Sequence, residues 1–306
     1  MSETTDKTIG WIGTGLMGGP MCKNLLKAGF SLTAFNPTVA KLAPLEALGA
    51  KRCADVAALA ASAPIIVSMI SDDAALHSVA LGPAGVLANA RPGAIFVDMS
   101  TVTPKASAQV AAEAEKRRIA YVRAPVSGGV ALAEAAKLTV IASGPKAAYE
   151  RCLPAFAAMS AKQFLLGPHE EARYLKLCLN MLVGAMGALL GEALAFGRRG
   201  GLDWATMLDV FNQSAIASPL IGYKSGPLKA RDFTPTFSSK MMAKDFDLLL
   251  ATAKETSVPL PLSALIRQLY ATSIAQGRGE DDFFALTAVI EALAGLKPET
   301  LSGAKS

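Results

Sequence analysis

The stretch that decides the fold is Thr8-Ile-Gly-Trp-Ile-Gly13-Thr-Gly15-Leu-Met-Gly18. A short apolar run ends at Gly13, and helical spacing of apolar residues begins at Leu16, so the G-x-G-x-x-G pattern lies between a strand and a helix. In that setting Gly13 makes the tight turn, Gly15 lets a pyrophosphate approach the backbone, and Gly18 allows close packing of the helix. The free N–H groups at the helix N-terminus favour phosphate. The stretch therefore predicts a dinucleotide-binding βαβ unit.

The remainder of the first half continues to alternate strand and helix patterns, which is typical of a parallel sheet. We predict strands near 31–35, 64–70, 94–98, 121–122 and 138–142, and an Ala-rich helix near 105–118. After about residue 165 the strand pattern stops, and we predict helices near 169–199, 203–214, 239–256, 262–276 and 282–295. The fold class is thus α/β: an N-terminal, doubly wound Rossmann sheet (1–166), then an all-α domain (167–306) with a long inter-domain helix. The last ten residues are expected to form a mobile tail.

Composition narrows the possible functions. The chain has 306 residues, of which 52% are hydrophobic and 18% charged, so it can bury sizeable cores. A net charge of +5 suits a small anionic substrate, but scattered basic residues and 6% aromatic residues disfavour a nucleic-acid surface. Four cysteines without ligand spacing and two histidines predict neither a metal site nor disulfides. No secretory signal is evident at the N-terminus, so we expect a cytoplasmic protein.

Residues 177–197 are apolar enough, and long enough, to be mistaken for a membrane span. The segment contains Asn180, Glu192 and three glycines (Gly184, Gly187 and Gly191), and Lys176 immediately precedes it. Polar and small residues of this kind also describe a long helix buried in a soluble protein. We predict no membrane contact, and a helix whose glycines allow close approach of another helix, from the same chain or from a second subunit.

Cofactor preference is read at the end of the second strand, where Asn36, Pro37 and Thr38 stand, with Lys41 further on. An acidic residue there would bind both ribose hydroxyls and favour NAD, whereas an arginine would bind the 2′-phosphate of NADP. Neither is present. Because Asn36, Thr38 and Lys41 can all serve a phosphate, the segment favours NADP over NAD.

Two further groups of residues can carry chemistry. Ser127, Gly128 and Gly129 follow a strand, and their exposed N–H groups can bind a carboxylate, although the same residues also describe an ordinary loop. Lys176 and Asn180 are spaced i, i+4, which places both on one face of a helix. A lysine beside an apolar helix can exchange a proton with a substrate hydroxyl, although a snorkelling surface lysine has the same spacing.

The order of the motifs carries a family resemblance. Gly13-x-Gly15-x-Met17-Gly18-x-Pro20-Met21-x-x-Asn24-Leu25-x-Lys27-Ala28-Gly29 is followed by Asp98-Met-Ser100-Thr101, Ala124-Pro-Val-Ser-Gly-Gly129, Lys176-x-x-x-Asn180 and Lys244-Asp245. This series resembles the β-hydroxyacid dehydrogenases, the 3-hydroxyisobutyrate dehydrogenase group of the 6-phosphogluconate dehydrogenase superfamily. The resemblance implies a Rossmann domain joined by a long helix to an all-α domain, and assembly into homodimers or homotetramers.

The resemblance also implies roles for individual residues. The positions that touch the dinucleotide in that family are Gly13, Thr14, Gly15, Leu16, Met17, Gly18, Asn36, Pro37, Thr38, Met69, Ile70, Thr101 and Lys244. The positions that hold the substrate are Ser127, Gly128, Gly129 and Asn180, and the catalytic lysine is Lys176.

Three departures from the family pattern concern specificity. Arg123 stands where an aspartate usually precedes Ala-Pro-Val, and the glycines that normally follow Ser-Gly-Gly are replaced in 131–136. The Asn-Arg-Thr run of NADP-using members is Asn36-Pro37-Thr38 here, which leaves the cofactor choice open. We therefore expect an atypical substrate loop.

The sequence predicts an enzyme, an oxidoreductase that transfers a hydride between NAD(P) and a small 3-hydroxy acid or its semialdehyde. Two alternatives are an imine reductase on the same architecture and a dinucleotide-binding protein without turnover. Relatives of both kinds tend to lack the lysine at the position of Lys176, so its presence favours the dehydrogenase.

Overall fold

A computed structural model describes residues 7–297, in two compact units whose boundary falls between Leu177 and Cys178. The first unit has a six-stranded parallel sheet in the order β3-β2-β1-β4-β5-β6. Its strands are β1 (Thr8–Ile12), β2 (Ser31–Phe35), β3 (Lys51–Arg52), β4 (Ile65–Ser68), β5 (Ile95–Asp98) and β6 (Ala120–Arg123). A smaller sheet follows, with β7 (Val126–Ser127) antiparallel to β8 (Leu138–Ala142), and β8 parallel to β9 (Ser160–Leu165).

Helices cover both faces of the larger sheet, as the predicted doubly wound fold requires. They are α1 (Gly18–Lys27), α2 (Ala43–Glu46), α3 (Val56–Ser62), α4 (Asp73–Ala80), α5 (Val86–Asn89), α6 (Pro104–Lys116), α7 (Val130–Glu134) and α8 (Lys146–Met159). Because side chains alternate along a strand, Trp11 packs into one core and Ile12 into the other. Strands buried on both faces read as the continuous apolar runs seen in the sequence.

The long helix α9 (Glu171–Arg199) begins in the first unit and continues into the second. By length and composition alone it could cross a membrane, with a mean hydropathy of 1.7 over its most apolar window. In the second unit its glycines face the same chain. A Cβ on Gly184 would lie 2.4 Å from Cε2 of Phe246, and one on Gly187 would lie 3.1 Å from the Tyr270 hydroxyl.

The sequence predicted that a helix of the same chain or of a second subunit lies against these glycines. In the structure, side chains of the same chain make this close contact. A Cβ on Gly191 would likewise lie 2.8 Å from Cδ1 of Ile290, and the Tyr270 hydroxyl donates a hydrogen bond to the carbonyl of Gly184 at 3.0 Å. The glycines allow aromatic and branched side chains to pack directly on the α9 backbone.

The rest of the second unit, within residues 200–297, is helical apart from one isolated bridge between Ser238 and Asp282. Its helices are α10 (Trp204–Gln213), α11 (Pro219–Lys229), α12 (Ser239–Glu255), α13 (Pro261–Ser273) and α14 (Leu286–Leu293), with a π-turn at Ile274–Arg278 and a 3₁₀ turn at Phe283–Ala285. Asp203 caps the N-terminus of α10, where its carboxylate accepts a hydrogen bond from the backbone N–H of Thr206 at 2.7 Å.

The predicted fold class and element order are confirmed, with differences in detail. The structure adds the strands β3, β7 and β9 and the helix α11, and it ends the predicted 262–276 helix at Ser273, after which Gly277 adopts a φ of +81°. The boundary between the two compact units lies inside α9, whereas the domain boundary at 166/167 stays a prediction. Most of the predicted mobile tail lies outside the described residues.

Candidate active site

The glycine loop between β1 and α1 has the geometry that its sequence predicts. Gly13 has a φ of +93°, and a Cβ there would lie 2.2 Å from the carbonyl oxygen of Met69. A Cβ on Gly18 would lie 2.1 Å from the carbonyl oxygen of Gly13, so both positions require glycine. Gly15 differs, since a Cβ there would meet nothing within 4 Å. The open space beside Gly15, at the N-terminus of α1, could hold a pyrophosphate.

Hydrogen bonds bring the other predicted dinucleotide segments to this loop. The backbone N–H of Gly13 donates to the carbonyl of Phe35, next to Asn36, at 2.9 Å. The backbone N–H of Met69 donates to the carbonyl of Ile12 at 2.9 Å. The N–H of Ile70 donates to Oγ of Ser100, beside Thr101, also at 2.9 Å. The ends of β1, β2, β4 and β5 therefore form one edge, as expected where parallel strands end together.

The individual predicted cofactor residues differ in exposure at this edge. Leu16 is 72% exposed, Met17 is half-buried, and the hydroxyl of Thr14 donates to the carbonyl of Lys41 at 3.4 Å. Asn36 is buried, and its Oδ1 accepts from the N–H of Thr38 at 2.8 Å. Pro37 and Thr38 are exposed. The side chain of Asn36 therefore stabilises the turn after β2, while the exposed side chains of Pro37 and Thr38 are accessible to a ribose or a phosphate.

The predicted substrate segment follows β7 in the first unit. Gly128 has a φ of +129°, and a Cβ there would lie 2.8 Å from Cδ2 of Leu138, so the turn after Ser127 requires glycine. Gly129 precedes α7, and the glycine-poor stretch after it folds as that short helix. The side-chain amide of Asn24 donates to the carbonyl of Ala133 at 2.6 Å, which fixes α7 against α1. The stretch 131–136, which lacks the usual glycines, therefore contributes to a short helix that is hydrogen-bonded to α1.

Arg123, another departure from the family pattern, forms an ion pair with Glu170. Its Nε donates to Oε1 of Glu170 at 2.9 Å, and its Nη2 contacts the same oxygen. Its guanidinium lies 4.8 Å from the ring centre of Tyr121, within cation–π range. The arginine is 5% exposed. It joins the end of β6 to the residues that enter α9.

A second buried arginine was not anticipated from the sequence. Arg173 in the first turn of α9 is 1% exposed and pairs with Asp98, at the end of β5, at 2.6 Å. It also contacts the hydroxyl of Tyr121 at 3.0 Å. Burial raises the pKa of Tyr121 to about 12, so this phenol stays neutral at physiological pH. The Asp98-x-Ser100-Thr101 motif indicated one partner of the network, but nothing in the sequence indicated Arg173.

Lys176 lies in α9, three residues after Arg173, and is half-buried. Asn180 follows one turn later on the same continuous helix, so the predicted i, i+4 spacing is realised. Within the second unit, the amide of Asn180 donates to the carboxylate of Asp245, and Nζ of Lys244 lies 3.0 Å from the other carboxylate oxygen. The structure thus joins Asn180 and Lys244 through Asp245, which is 3% exposed. Asp245 was visible in the Lys244-Asp245 motif but was not assigned to the site.

Within residues 7–297, no three His, Cys, Asp or Glu side chains cluster in a way that could hold a metal ion.

Family profiles match nearly the whole described chain. The profile for the "NAD binding domain of 6-phosphogluconate dehydrogenase" matches residues 8–167, and that for the "NAD-binding of NADP-dependent 3-hydroxyisobutyrate dehydrogenase" matches residues 171–290. The chain belongs to the β-hydroxyacid dehydrogenase family. It is an NAD(P)-binding oxidoreductase of that family, as the order of its motifs predicted.

Named relatives and solved structures agree with this membership. The chain is 34% identical to the 2-(hydroxymethyl)glutarate dehydrogenase of Eubacterium barkeri, over 94% of this chain and 96% of the relative. It is 33% identical to glyoxylate/succinic semialdehyde reductase 1 of Arabidopsis thaliana, over 93% of this chain and 98% of the relative. The 3-hydroxyisobutyrate dehydrogenase of Mycobacterium tuberculosis, solved with L-serine, superposes with a TM-score of 0.84 at 27% identity, over 92% of this chain and 98% of that one.

An imine reductase and a nuclear factor are also similar to this chain. The imine reductase of Myxococcus stipitatus, in complex with NADP⁺, has a TM-score of 0.62 at 21% identity, over 92% of this chain and 99% of that one, which shows a shared fold alone. The human cytokine-like nuclear factor N-PAC is 33% identical over 92% of this chain, but this chain covers only 51% of that longer protein.

Proposed function

We propose that this protein interconverts a small 3-hydroxy acid and its semialdehyde with NADP(H) or NAD(H). When bound, the nicotinamide accepts or donates the hydride on the substrate carbon. In oxidation Lys176 takes the hydroxyl proton, and in reduction it returns that proton to the aldehyde oxygen. The observation that carries the proposal is a half-buried lysine one helical turn before Asn180, in a chain that keeps the family's motif order.

The substrate class follows from the names of two relatives and from one molecule bound to a relative, whereas the glyoxylate/succinic semialdehyde reductase is named for substrates outside this class. 2-(Hydroxymethyl)glutarate, 3-hydroxyisobutyrate and L-serine each carry a primary hydroxyl one carbon away from the carbon that bears a carboxylate. We assign the carboxylate to Ser127 and the N–H groups of Gly128 and Gly129, and the reacting oxygen to Lys176 and Asn180. A chain charge of +5 suits such an anion.

We propose NADP as the preferred dinucleotide. The end of β2 supplies no carboxylate, and the side chain of Asn36 is already bonded to the turn. The exposed hydroxyl of Thr38 and the exposed ammonium of Lys41 are groups that can meet a 2′-phosphate. A solved relative in complex with NADP⁺ supports the same choice.

We propose that the protein works in the cytoplasm as a homodimer or homotetramer, without a nucleic-acid or membrane partner. Leu182, Leu189 and Phe196 on α9 are 63%, 61% and 84% exposed. Their spacing of seven residues places them on one side of the helix, and we call them the α9 apolar stripe. A second copy of the chain is the partner we assign to this stripe, because water-exposed apolar side chains in such a row favour association.

The enzyme test is a steady-state assay in which the absorbance of NADPH or NADH is followed. The panel contains 3-hydroxy acids with a primary hydroxyl, the matching semialdehydes, 2-hydroxy acids and cyclic imines. Turnover of the first two classes, in preference to the others, supports the proposal. Turnover confined to imines would favour the imine reductase, and dinucleotide binding without any turnover would favour the non-catalytic alternative.

A further inference from the structure

The buried guanidinium of Arg173 makes more polar contacts than a simple ion pair needs. Its Nη2 lies 2.6 Å from Oδ2 of Asp98 and 3.0 Å from the hydroxyl of Tyr121. Its Nη1 donates to the carbonyl of Ser100 at 2.8 Å, and its Nε donates to Oγ of Ser107 at 3.1 Å. Since each edge of the planar group has its own acceptor, the group can occupy only one orientation.

The same network continues to the dinucleotide edge. Oδ1 of Asp98 accepts hydrogen bonds from the hydroxyls of Ser68 at 2.6 Å and Ser100 at 2.7 Å. The Ser100 oxygen accepts in turn from the backbone N–H of Ile70 at 2.9 Å. An unbroken series of contacts thus runs from the Ile70 loop through Ser100 and Asp98 to Arg173.

We propose that Arg173 is a positioning residue, which holds Lys176 in register with the Ile70–Thr101 part of the dinucleotide site. The proposal rests on the proposed function, in which Lys176 is the proton-transfer group. Lys176 lies three residues after Arg173, which is less than one helical turn. Any displacement of the helix backbone at Arg173 therefore also displaces the side chain of Lys176. Proton transfer needs a donor and acceptor within hydrogen-bond reach, so small displacements are costly.

Stability alone does not explain an arginine at this position. A buried ion pair contributes little to stability compared with well-packed apolar side chains, because both charges must be desolvated. What a fully satisfied polar network adds is a single geometry. Here that geometry joins the helix of the proposed proton donor to the loop that faces the dinucleotide.

The first test compares two serines that have the same burial and the same acceptor. Ser68 and Ser100 are both fully buried and both donate to Oδ1 of Asp98, but only Ser100 also binds the N–H of Ile70. We expect Ser100→Ala to weaken NADPH binding about fivefold or more, measured by fluorescence titration, because one buried hydrogen bond to the loop is lost. Ser68→Ala should lower the melting temperature similarly while NADPH affinity stays within about twofold.

The second test is Arg173→Lys, which keeps the charge but loses the fork of donors. We expect kcat to fall about tenfold or more, and the pH dependence of kcat to shift, while the protein stays folded by circular dichroism. A folded Arg173→Lys variant with wild-type kcat and pH profile would overturn the proposal. If that variant does not fold, the serine pair decides, and equal NADPH affinities for Ser68→Ala and Ser100→Ala would overturn it.

Failure of the proposed function gives a different result. In that case the wild type turns over none of the hydroxy acids or semialdehydes. The NADPH titration of the two serine variants does not depend on turnover, so it still tests the connection between the network and the dinucleotide loop.

Discussion

The first turns of α9 contact the Rossmann unit through charges and hydrogen bonds, whereas the middle of the helix contacts the helical unit through bare glycines. Around Arg173 each polar atom has a directed partner, and the contact fixes one position of the helix. Around Gly184 and Gly187 the contact is a close fit of Phe246 and Tyr270 against the backbone. One helix therefore combines a directional attachment next to the proposed catalytic residue with a non-directional one that supplies packing.

If the first turns of α9 position a proton-transfer group, Lys176 should be essential for activity but not for folding. We expect Lys176→Ala to lower kcat by about 10²–10⁴-fold, as is typical when a proton-transfer group is removed, with NADPH affinity nearly unchanged. Lys176→Arg should also be impaired, because arginine does not give up its proton near neutral pH. Lys162→Ala, which removes an exposed lysine on β9, is the control and should keep full activity. More than half of wild-type kcat in Lys176→Ala would contradict the assignment.

The α9 apolar stripe provides a second test of how different parts of this helix are used. We expect Leu189→Asp to weaken self-association by roughly 100-fold or more, because a carboxylate would be buried against the partner without a counter-charge. Leu262→Asp is the matched control, since Leu262 is 75% exposed but lies outside the α9 apolar stripe. Analytical ultracentrifugation over a range of concentrations measures both. A wild type that is monomeric throughout would remove the second copy from the proposal.

The glycine-lined middle of α9 should respond in stability rather than in chemistry. A Cβ on Gly184 would lie 2.4 Å from the Phe246 ring, so Gly184→Ala should destabilise the protein by roughly 1–3 kcal/mol through overpacking. Gly222→Ala in α11 meets only Oδ1 of Asn212, at 3.8 Å, and should be neutral or slightly stabilising. Differential scanning fluorimetry compares the two. Equal melting temperatures would show that the close fit at Gly184 relaxes without cost.

The smallest expected effect concerns the dinucleotide edge. Asn36→Asp should shift kcat/KM from NADP toward NAD by roughly tenfold, or about 1.4 kcal/mol, because a carboxylate binds the ribose hydroxyls and repels a 2′-phosphate. Lys41→Gln should weaken NADP use without improving NAD use. Kinetics with both dinucleotides at saturating substrate measure the ratio. If the wild type already prefers NAD more than about a hundredfold, the interpretation of this segment is wrong.

The parts of the fold that could be predicted are those encoded locally. β1, β2 and β8 match their predicted bounds, because apolar runs between turn residues leave little choice. The helix α11 was missed because Pro219, Gly222, Gly226 and Pro227 obscure its periodicity. The strand β9 was missed because exposed and polar positions interrupt it.

In the candidate site, too, local relations could be predicted from the sequence, whereas contacts between residues distant in sequence could not. Spacing along one helix predicted the relation of Lys176 to Asn180, and the family resemblance implied that residues after β1, β2, β4 and β5 touch one dinucleotide. The bond of Arg173 to Asp98 joins residues far apart in sequence, and no local pattern encodes it. The same holds for the neighbours of Gly184: its small size indicated a close contact, but only the folded chain identifies Phe246.

The pairing of Arg123 with Glu170 has a consequence for any redesign of the substrate loop. Restoring the aspartate usual for the family at position 123 would set two carboxylates against each other in a largely buried place. Replacing Glu170 alone would leave a buried guanidinium without its counter-charge. Each single exchange is unfavourable, so grafting the substrate loop of a relative onto this chain has to exchange both positions together.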